Sequence, residues 1–394
     1  MNSIDKSFKI NQNTAIEKTA IIAGIVGVII SIAGFVVNRG YFFHSYLTAW
    51  GFSATIGVGG LFFVMLHHLV DATWSVVIRR IAENVMMALV MITPFFIPIL
   101  FGLHDLYHWT HPDLVASDHI LQGKAAYLNI PFYIIRTVIF IGAWLFLVWR
   151  LYKMSITQDS DGSVSWNAKL RKISAPGMLV FAVTLTFSSF DWYMSLNAHW
   201  YSTIFGVYIF GGAVISSLSF ITLIAIYLRE KGVLADIVTF EHFHDLGKLM
   251  FAFTVFWGYI AFAQYFLIWY GNIPEETIWF HTRWDGSWHF FSLVLVFGHF
   301  VLPFVLLISR GTKRNLKIMK FTAVWLLLMH WVDLFWVVMP SYTSNVWSSI
   351  WIDLGTMLTV GGFGYWYFWK KLSSQAVIPV NDPRLEASIH LFSD

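Results

Sequence analysis

The chain has 394 residues, 57% of them hydrophobic and 12% charged, against roughly 25% charged in a soluble domain. That excludes a water-soluble globule, and a net charge of +3 names no partner by itself. With no cysteine anywhere, the chain ligates no iron–sulfur cluster and attaches no haem covalently, so electron chemistry would have to come from partners, a diffusible quinone or a histidine-held haem.

A helix crossing the bilayer takes about 20 apolar residues, and ten stretches fit in chain order. A polar tail, 1–18, carries Lys6, Lys9 and Lys18. Residues 19–37 follow, too long for a signal-peptide core and without a small-residue cleavage site, which predicts a retained first helix. The second stretch, 41–66, holds a glycine-rich patch at 57–63 and runs into His67, His68 and Asp71, whose spacing predicts one shared helical face at the mouth of a bundle. The third, 81–103, starts near Glu83, and the fourth, 127–149, contains Arg136. Arg136 should pair with Asp191 or Asp353 across helices or else face water. The fifth, 175–190, ends at Asp191, with His199 beyond it, and the sixth, 201–228, repeats the small-residue patch at 211–217. Glu241, His242, His244 and Asp245 precede the seventh, 246–270, as solvated loop residues or as a second polar mouth. The eighth, 287–309, carries His289 near its start and His299 in its middle; the ninth, 318–339, carries His330 and Asp333; the tenth, 346–369, carries Asp353. Ten spans leave short loops and no room for a soluble catalytic domain.

Sorting the 25 Lys and Arg by loop parity puts 21 on one side and three, Arg39, Lys124 and Arg283, on the other, with Arg136 inside a span. This bias predicts that both termini lie in the cytoplasm. Aromatic residues and histidine crowd the opposite face, at 104–113, 191–201 and 278–288, either as an interfacial belt or as a docking surface for an extracytoplasmic partner. Offsetting the helices by four aligns Asp191 with Asp333 and the glycine patches of the second, sixth and tenth stretches. An even offset keeps orientation, so the repeat is parallel. The expected architecture is an all-α integral membrane protein. Its parts are a cytoplasmic tail (1–18), a first transmembrane helix (19–40), two four-helix bundles (41–200 and 201–340), a tenth helix (341–370) and a cytoplasmic tail (371–394).

Ionisable groups at membrane depth are functional candidates by default. His330 and Asp333, three apart, should share a face and exchange a hydrogen bond, with His299 on the neighbouring helix. These three read as a proton relay or as an interhelical polar lock. The proton path extends to His67, His68, Asp71, Glu83, Glu241, His242, His244 and Asp245, while Arg136, Asp191, His199, His289 and Asp353 form an outer polar set. A haem between His299 and His330 is a further reading, although the usual pair of histidines about 13 or 14 apart on each of two helices is absent.

Two runs, "FDWYMSLNAHWYSTIFGVYIFGG" (190–212) and "EHFHDLGKLMFAFTVFWGYIAFAQYFLIWYGNIPEE" (241–276), together with the ten stretches and the duplication, resemble the ActF-type membrane subunits of bacterial alternative complex III, in the NrfD- or PsrC-like family of quinone-linked anchors. The likeness covers nearly the whole chain. It implies a multi-pass subunit of the bacterial inner membrane within a quinol:electron-acceptor oxidoreductase, with no redox centre and no metal of its own. It implies an ActC-like paralogue, an ActB-like iron–sulfur subunit, ActA- and ActE-like cytochromes, further subunits, a terminal oxidase and phospholipids as partners, and no nucleic acid. Haem and iron–sulfur centres would then sit in the partners, and the substrate of the assembly would be a quinone, menaquinone or ubiquinone. Two other readings of the residues are a purely structural anchor whose buried charges are locks, and a secondary transporter built on parallel repeats.

Overall fold

The computed structural model describes residues 8–10, 14–345, 347 and 349–391. Lys6 of the N-terminal tail and Val346, the expected start of the tenth stretch, lie outside the described residues. Those residues are helical with no strand among them. Among the described residues nine helices are long and apolar enough to cross a membrane: α1 (Ala15–Val37), α2 (Arg39–Leu69), α3 (Val76–Phe101), α4 (Ile130–Asp161), α5 (Ser165–Asn197), α6 (Phe205–Glu230), α7 (Phe240–Gly271), α8 (Trp288–Ile308) and α9 (Leu316–Ser341). The chain is a multi-pass membrane protein. A further helix, α10 (Ile350–Ser374), has 25 residues, enough to cross, but it is not among the nine. Its second half is dense in Gly, Trp and Tyr, which lowers its apolarity.

Local chemistry sets the helix starts. Asn38 caps α2 by accepting from Tyr41 N, Asn129 caps α4 by accepting from Phe132 N, and Asn315 caps α9 by accepting from Lys317 N and Ile318 N. At α7 the cap is reciprocal between Thr239 and His242. Helix α3 begins five residues before the expected stretch, so Arg79 and Arg80, counted above as loop charges, are buried inside it.

Helices α2 and α6 form the centre, with 78% and 83% of their most apolar windows buried, whereas α1 and α7 show 28% each and line the rim. Helix α2 packs on α3, α5, α6, α9 and α10; α6 packs on α2, α5, α7 and α9; α4 lies against α5, and α8 against α7 and α9. Small residues bring α2 and α6 together, since a Cβ at Gly59 would stand 2.7 Å from Ser217 Cβ.

Helix α1 runs along α10 on a similar seam. A Cβ at Gly27 would stand 2.7 Å from the Leu358 carbonyl carbon and 2.8 Å from Gly355 O, and Gly362 faces the Gly24 backbone. Because backbone cannot move aside as a side chain can, Gly27→Leu should cost at least ~1–3 kcal/mol and lower the unfolding midpoint in detergent. Gly123→Leu, at a site with nothing within 4 Å, is the control expected to leave it unchanged.

Candidate functional site

A buried ionisable set lies among helices α6 to α9, around Asp333, His330 and His299. Asp333 on α9 accepts from the Tyr208 hydroxyl of α6 at Oδ1 and from Trp257 Nε1 of α7 at Oδ2, the latter at 3.2 Å. His330, one turn away, has Nε2 2.8 Å from Thr55 Oγ1 on α2. Thr55 spends its own proton on Gly51 O at 2.8 Å, so His330 donates from Nε2 and leaves Nδ1 as a bare acceptor, with no partner among the described residues. Gly212 of α6 makes room for both groups: a Cβ there would stand 2.9 Å from His330 Nδ1 and 3.5 Å from Asp333 Oδ2.

The expected direct bond between His330 and Asp333 is absent. Their i,i+3 spacing gives them a shared face, but donors and acceptors on three other helices engage each group separately. His299 lies flat on Trp257, with ring centroids 4.0 Å apart and an interplanar angle of 28°, and neither ring nitrogen meets a hydrogen-bonding partner among the described residues. Its helix is locally widened into a π-helix over Leu295–Val301. Pro303 accounts for this, because proline lacks an N–H and its ring clashes with the carbonyl four residues earlier, that of His299. A haem between His299 and His330 would need both rings to leave these contacts.

Asp191, which the four-helix offset aligns with Asp333 in sequence, is held differently. Asp191 takes Arg136 Nε at 2.6 Å and Nη2 at 3.1 Å, while Arg136 Nη1 donates to Tyr127 O at 2.8 Å. The guanidinium carbon stands 3.8 Å from the Tyr127 ring centroid and 4.3 Å from that of Phe132. This is a closed bidentate pair, the Asp191 alternative of the expected pairing. Asp353 instead accepts from the Tyr41 hydroxyl at 2.6 Å, tying α10 to α2. His199 and His289 are surface groups. His199 Nε2 is 2.5 Å from Asp118 Oδ2, and this hydrogen bond, ahead of bonds from Leu121 and Ile120, holds the Asp118 carboxyl below its ordinary range. His289 Nδ1 donates to Gly286 O.

At the other end, Glu83 sits between Arg79 Nε (3.0 Å) and Arg80 Nε (3.3 Å), with all three side chains fully buried. Arg79 also pairs with Asp382, and Arg80 with Asp159 at 2.5 Å. Asp382 belongs to a C-terminal strap that threads back beneath α2 and α3. Ser388 Oγ donates to Trp74 O and accepts from Val77 N, Ser388 O accepts from His242 Nε2 of α7, and Val377 N donates to Phe8 O. Burial alone would raise the Asp382 pKa, but hydrogen bonds from Arg384 and the charge of Arg79 outweigh it and hold the carboxyl at about 2.

The expected shared face of His67, His68 and Asp71 does not form. Helix α2 ends at Leu69, and Asp71 takes a left-handed φ of 54°. Asp71 instead binds Arg171 (2.7 Å) and Arg384 (2.6 Å). Arg384 Nη2 donates to His67 Nε2, so His67 Nδ1 donates to Ser75 Oγ at 2.7 Å. His68 is buried, with no partner for Nε2 among the described residues. On the second bundle, Glu241 pairs with Arg314 and Asp245 with Lys248, each at 2.5 Å, and His244 Nδ1 is 4.0 Å from Asp245.

Sequence reasoning missed Tyr208, Trp257 and Thr55 around the central acid, and Arg79, Arg80, Asp159, Asp382 and Arg384 around Glu83. A signal existed for the second group: Arg79 and Arg80 lie four and three residues before Glu83, the spacing of helical ion pairs. One cavity of about 190 Å³ opens among α2, α3, α6, α9 and α10, lined by Phe52, Phe220, Tyr365 and Phe368 among others. Its wall is apolar apart from Ser53, whose Oγ is spent on Ala49 O, and Tyr365. No protein-family model matches the chain, and neither does any curated protein.

Proposed function

We propose that the chain is an ActF-type membrane subunit of a bacterial quinol:electron-acceptor oxidoreductase of the alternative complex III class, and that Asp333, His330 and His299 carry protons within it. In this reading ten helices cross the inner membrane and both termini lie in the cytoplasm. Quinol oxidation belongs to an ActC-like sibling, with haem and iron–sulfur centres in the cytochrome and ActB-like partners.

One observation carries the mechanistic half. Of the two acids that the four-helix offset aligns in sequence, Asp191 is locked to a guanidinium while Asp333 is held by a phenol and an indole. An acid held by neutral donors can take up and release a proton without stranding a buried cation. Beside it, His330 offers a free Nδ1 and His299 two free ring nitrogens, so acceptors stand ready for a proton that leaves. Moving one charge against 100 mV takes about 2.3 kcal/mol, which the sibling's quinol oxidation would supply through a conformational link. The Thr55–His330 bond, joining the first bundle to the second, is the contact through which such a link would act. The closed Arg136–Asp191 pair favours a second role for the first bundle, that of anchor.

Gentle purification from native membranes tests the assignment. Stoichiometric co-purification with haem- and iron–sulfur-bearing subunits is the expected outcome. A chain that leaves the membrane alone, without haem absorbance, would point instead to a secondary transporter.

A further inference from the structure

Arg283, in the connection between α7 and α8, is 1% exposed, yet no carboxylate pairs with it among the described residues. Its guanidinium carbon stands 3.4 Å from the Trp279 ring centroid and 5.1 Å from that of Trp336. Nη1 donates to Trp279 O at 3.0 Å and Nη2 to Val337 O at 2.6 Å, while Nε meets no partner. The cage is braced on both sides. Trp279 stacks on Trp200 at 4.4 Å, and Trp336 Nε1 donates to Ser292 Oγ, which in turn donates to Arg283 O.

A buried guanidinium without a carboxylate is costly, and an apolar side chain would fill the same space without that cost. What the cation does can be read from its position. Val337 lies one helical turn beyond Asp333 on α9, so Arg283, bound to its carbonyl, stands on the side of the acid that faces away from Glu241. Burial draws the Arg283 pKa down and Tyr208 acts in the opposite sense, but a guanidinium remains protonated in proteins. A fixed positive charge at a constriction repels protons and other cations, as in pores that exclude them.

We propose that Arg283 is an electrostatic plug beyond Asp333, barring protons from the side of the α7–α8 connection so that the acid exchanges protons only toward the opposite end. This deepens the proton-carrying reading above and rests on it. The plug and the relay separate experimentally. The full-length chain, purified from its native membrane with whatever partners it retains, is reconstituted into liposomes containing a trapped pH dye, with the membrane potential clamped, and passive proton entry is followed after a pH jump without any redox substrate. Wild type and Arg283→Lys should be tight. Arg283→Met, which fills the tryptophan cage without a charge, should leak at least roughly tenfold faster, equivalent to about 1.4 kcal/mol off the barrier. Adding Asp333→Asn to Arg283→Met should restore tightness, because the leak runs through the acid.

A tight Arg283→Met variant overturns the plug, and so does a leak that survives Asp333→Asn. If Arg283→Met does not assemble, Arg283→Lys carries the test. Lysine keeps the charge but has no fork to span Trp279 O and Val337 O together, so the plug requires a tight vesicle, and a leak there overturns it. A tight Arg283→Met combined with a lowered proton yield in Asp333→Asn would remove the plug and keep the relay.

Discussion

Asp333→Asn should assemble normally and pass electrons, but move fewer protons per electron, with the yield falling toward that of the redox reaction alone. The structural cost is small for a stated reason. The Tyr208 hydroxyl can turn to accept from the new amide nitrogen while Trp257 Nε1 donates to the amide oxygen, so both contacts survive and at most about 0.5–1.5 kcal/mol is lost. What disappears is the ability to bind and release a proton. His330→Ala should act in the same direction, since it removes Nδ1 and breaks the bond to Thr55 between α9 and α2. Asp191→Asn provides the contrast, because it strands Arg136 and should destabilise the chain by about 3–5 kcal/mol with no specific change in proton yield. Proton uptake per electron in reconstituted complex is the measurement. An unchanged yield in fully assembled Asp333→Asn would discard the relay and leave the anchor.

The parts of this molecule that were legible in its residues follow the bilayer's demands. Apolar stretches of helix length, asparagines at helix starts and paired glycines on facing helices are each set by local chemistry, and the helices α1 to α9 correspond to them. The i,i+3 spacing of His330 and Asp333 was equally visible, but spacing within one helix says nothing about which neighbours arrive. Tyr208, Trp257 and Thr55 come from three other helices and took both groups. Asp71 failed for the opposite reason: the helix stops two residues short of it, and Arg171 and Arg384 capture it from distant parts of the chain. Arg79 and Arg80 were hidden by their own charge. Two arginines at the edge of an apolar stretch read as a cytoplasmic flank, and only the strap that brings Asp382 beside Asp159 and Glu83 makes their burial tolerable.

That strap fixes the largest stability effect expected for the chain. Glu83→Ala leaves Arg79 and Arg80 buried side by side without the carboxylate between them, and removing one partner of a buried ionic cluster costs about 3–5 kcal/mol. The variant should accumulate poorly and unfold at a much lower temperature in detergent. Removing one cation as well, in Glu83→Ala with Arg79→Met, should recover part of the loss, because Arg80 keeps Asp159 and Asp382 keeps Arg384; a double variant no better than the single would refute charge repulsion as the cause. Asp382 extends the effect to pH. Its carboxyl sits at about 2 in the folded chain against about 3.9 when unfolded, a depressed pKa, so its contribution is fully present above pH ~4 and lost as the pH falls toward 2. The strap should therefore stay protected from proteolysis between pH 8 and 5. Asp382→Asn should expose it at neutral pH, and cleavage after Arg384 in that variant, absent from wild type, reads out the release directly.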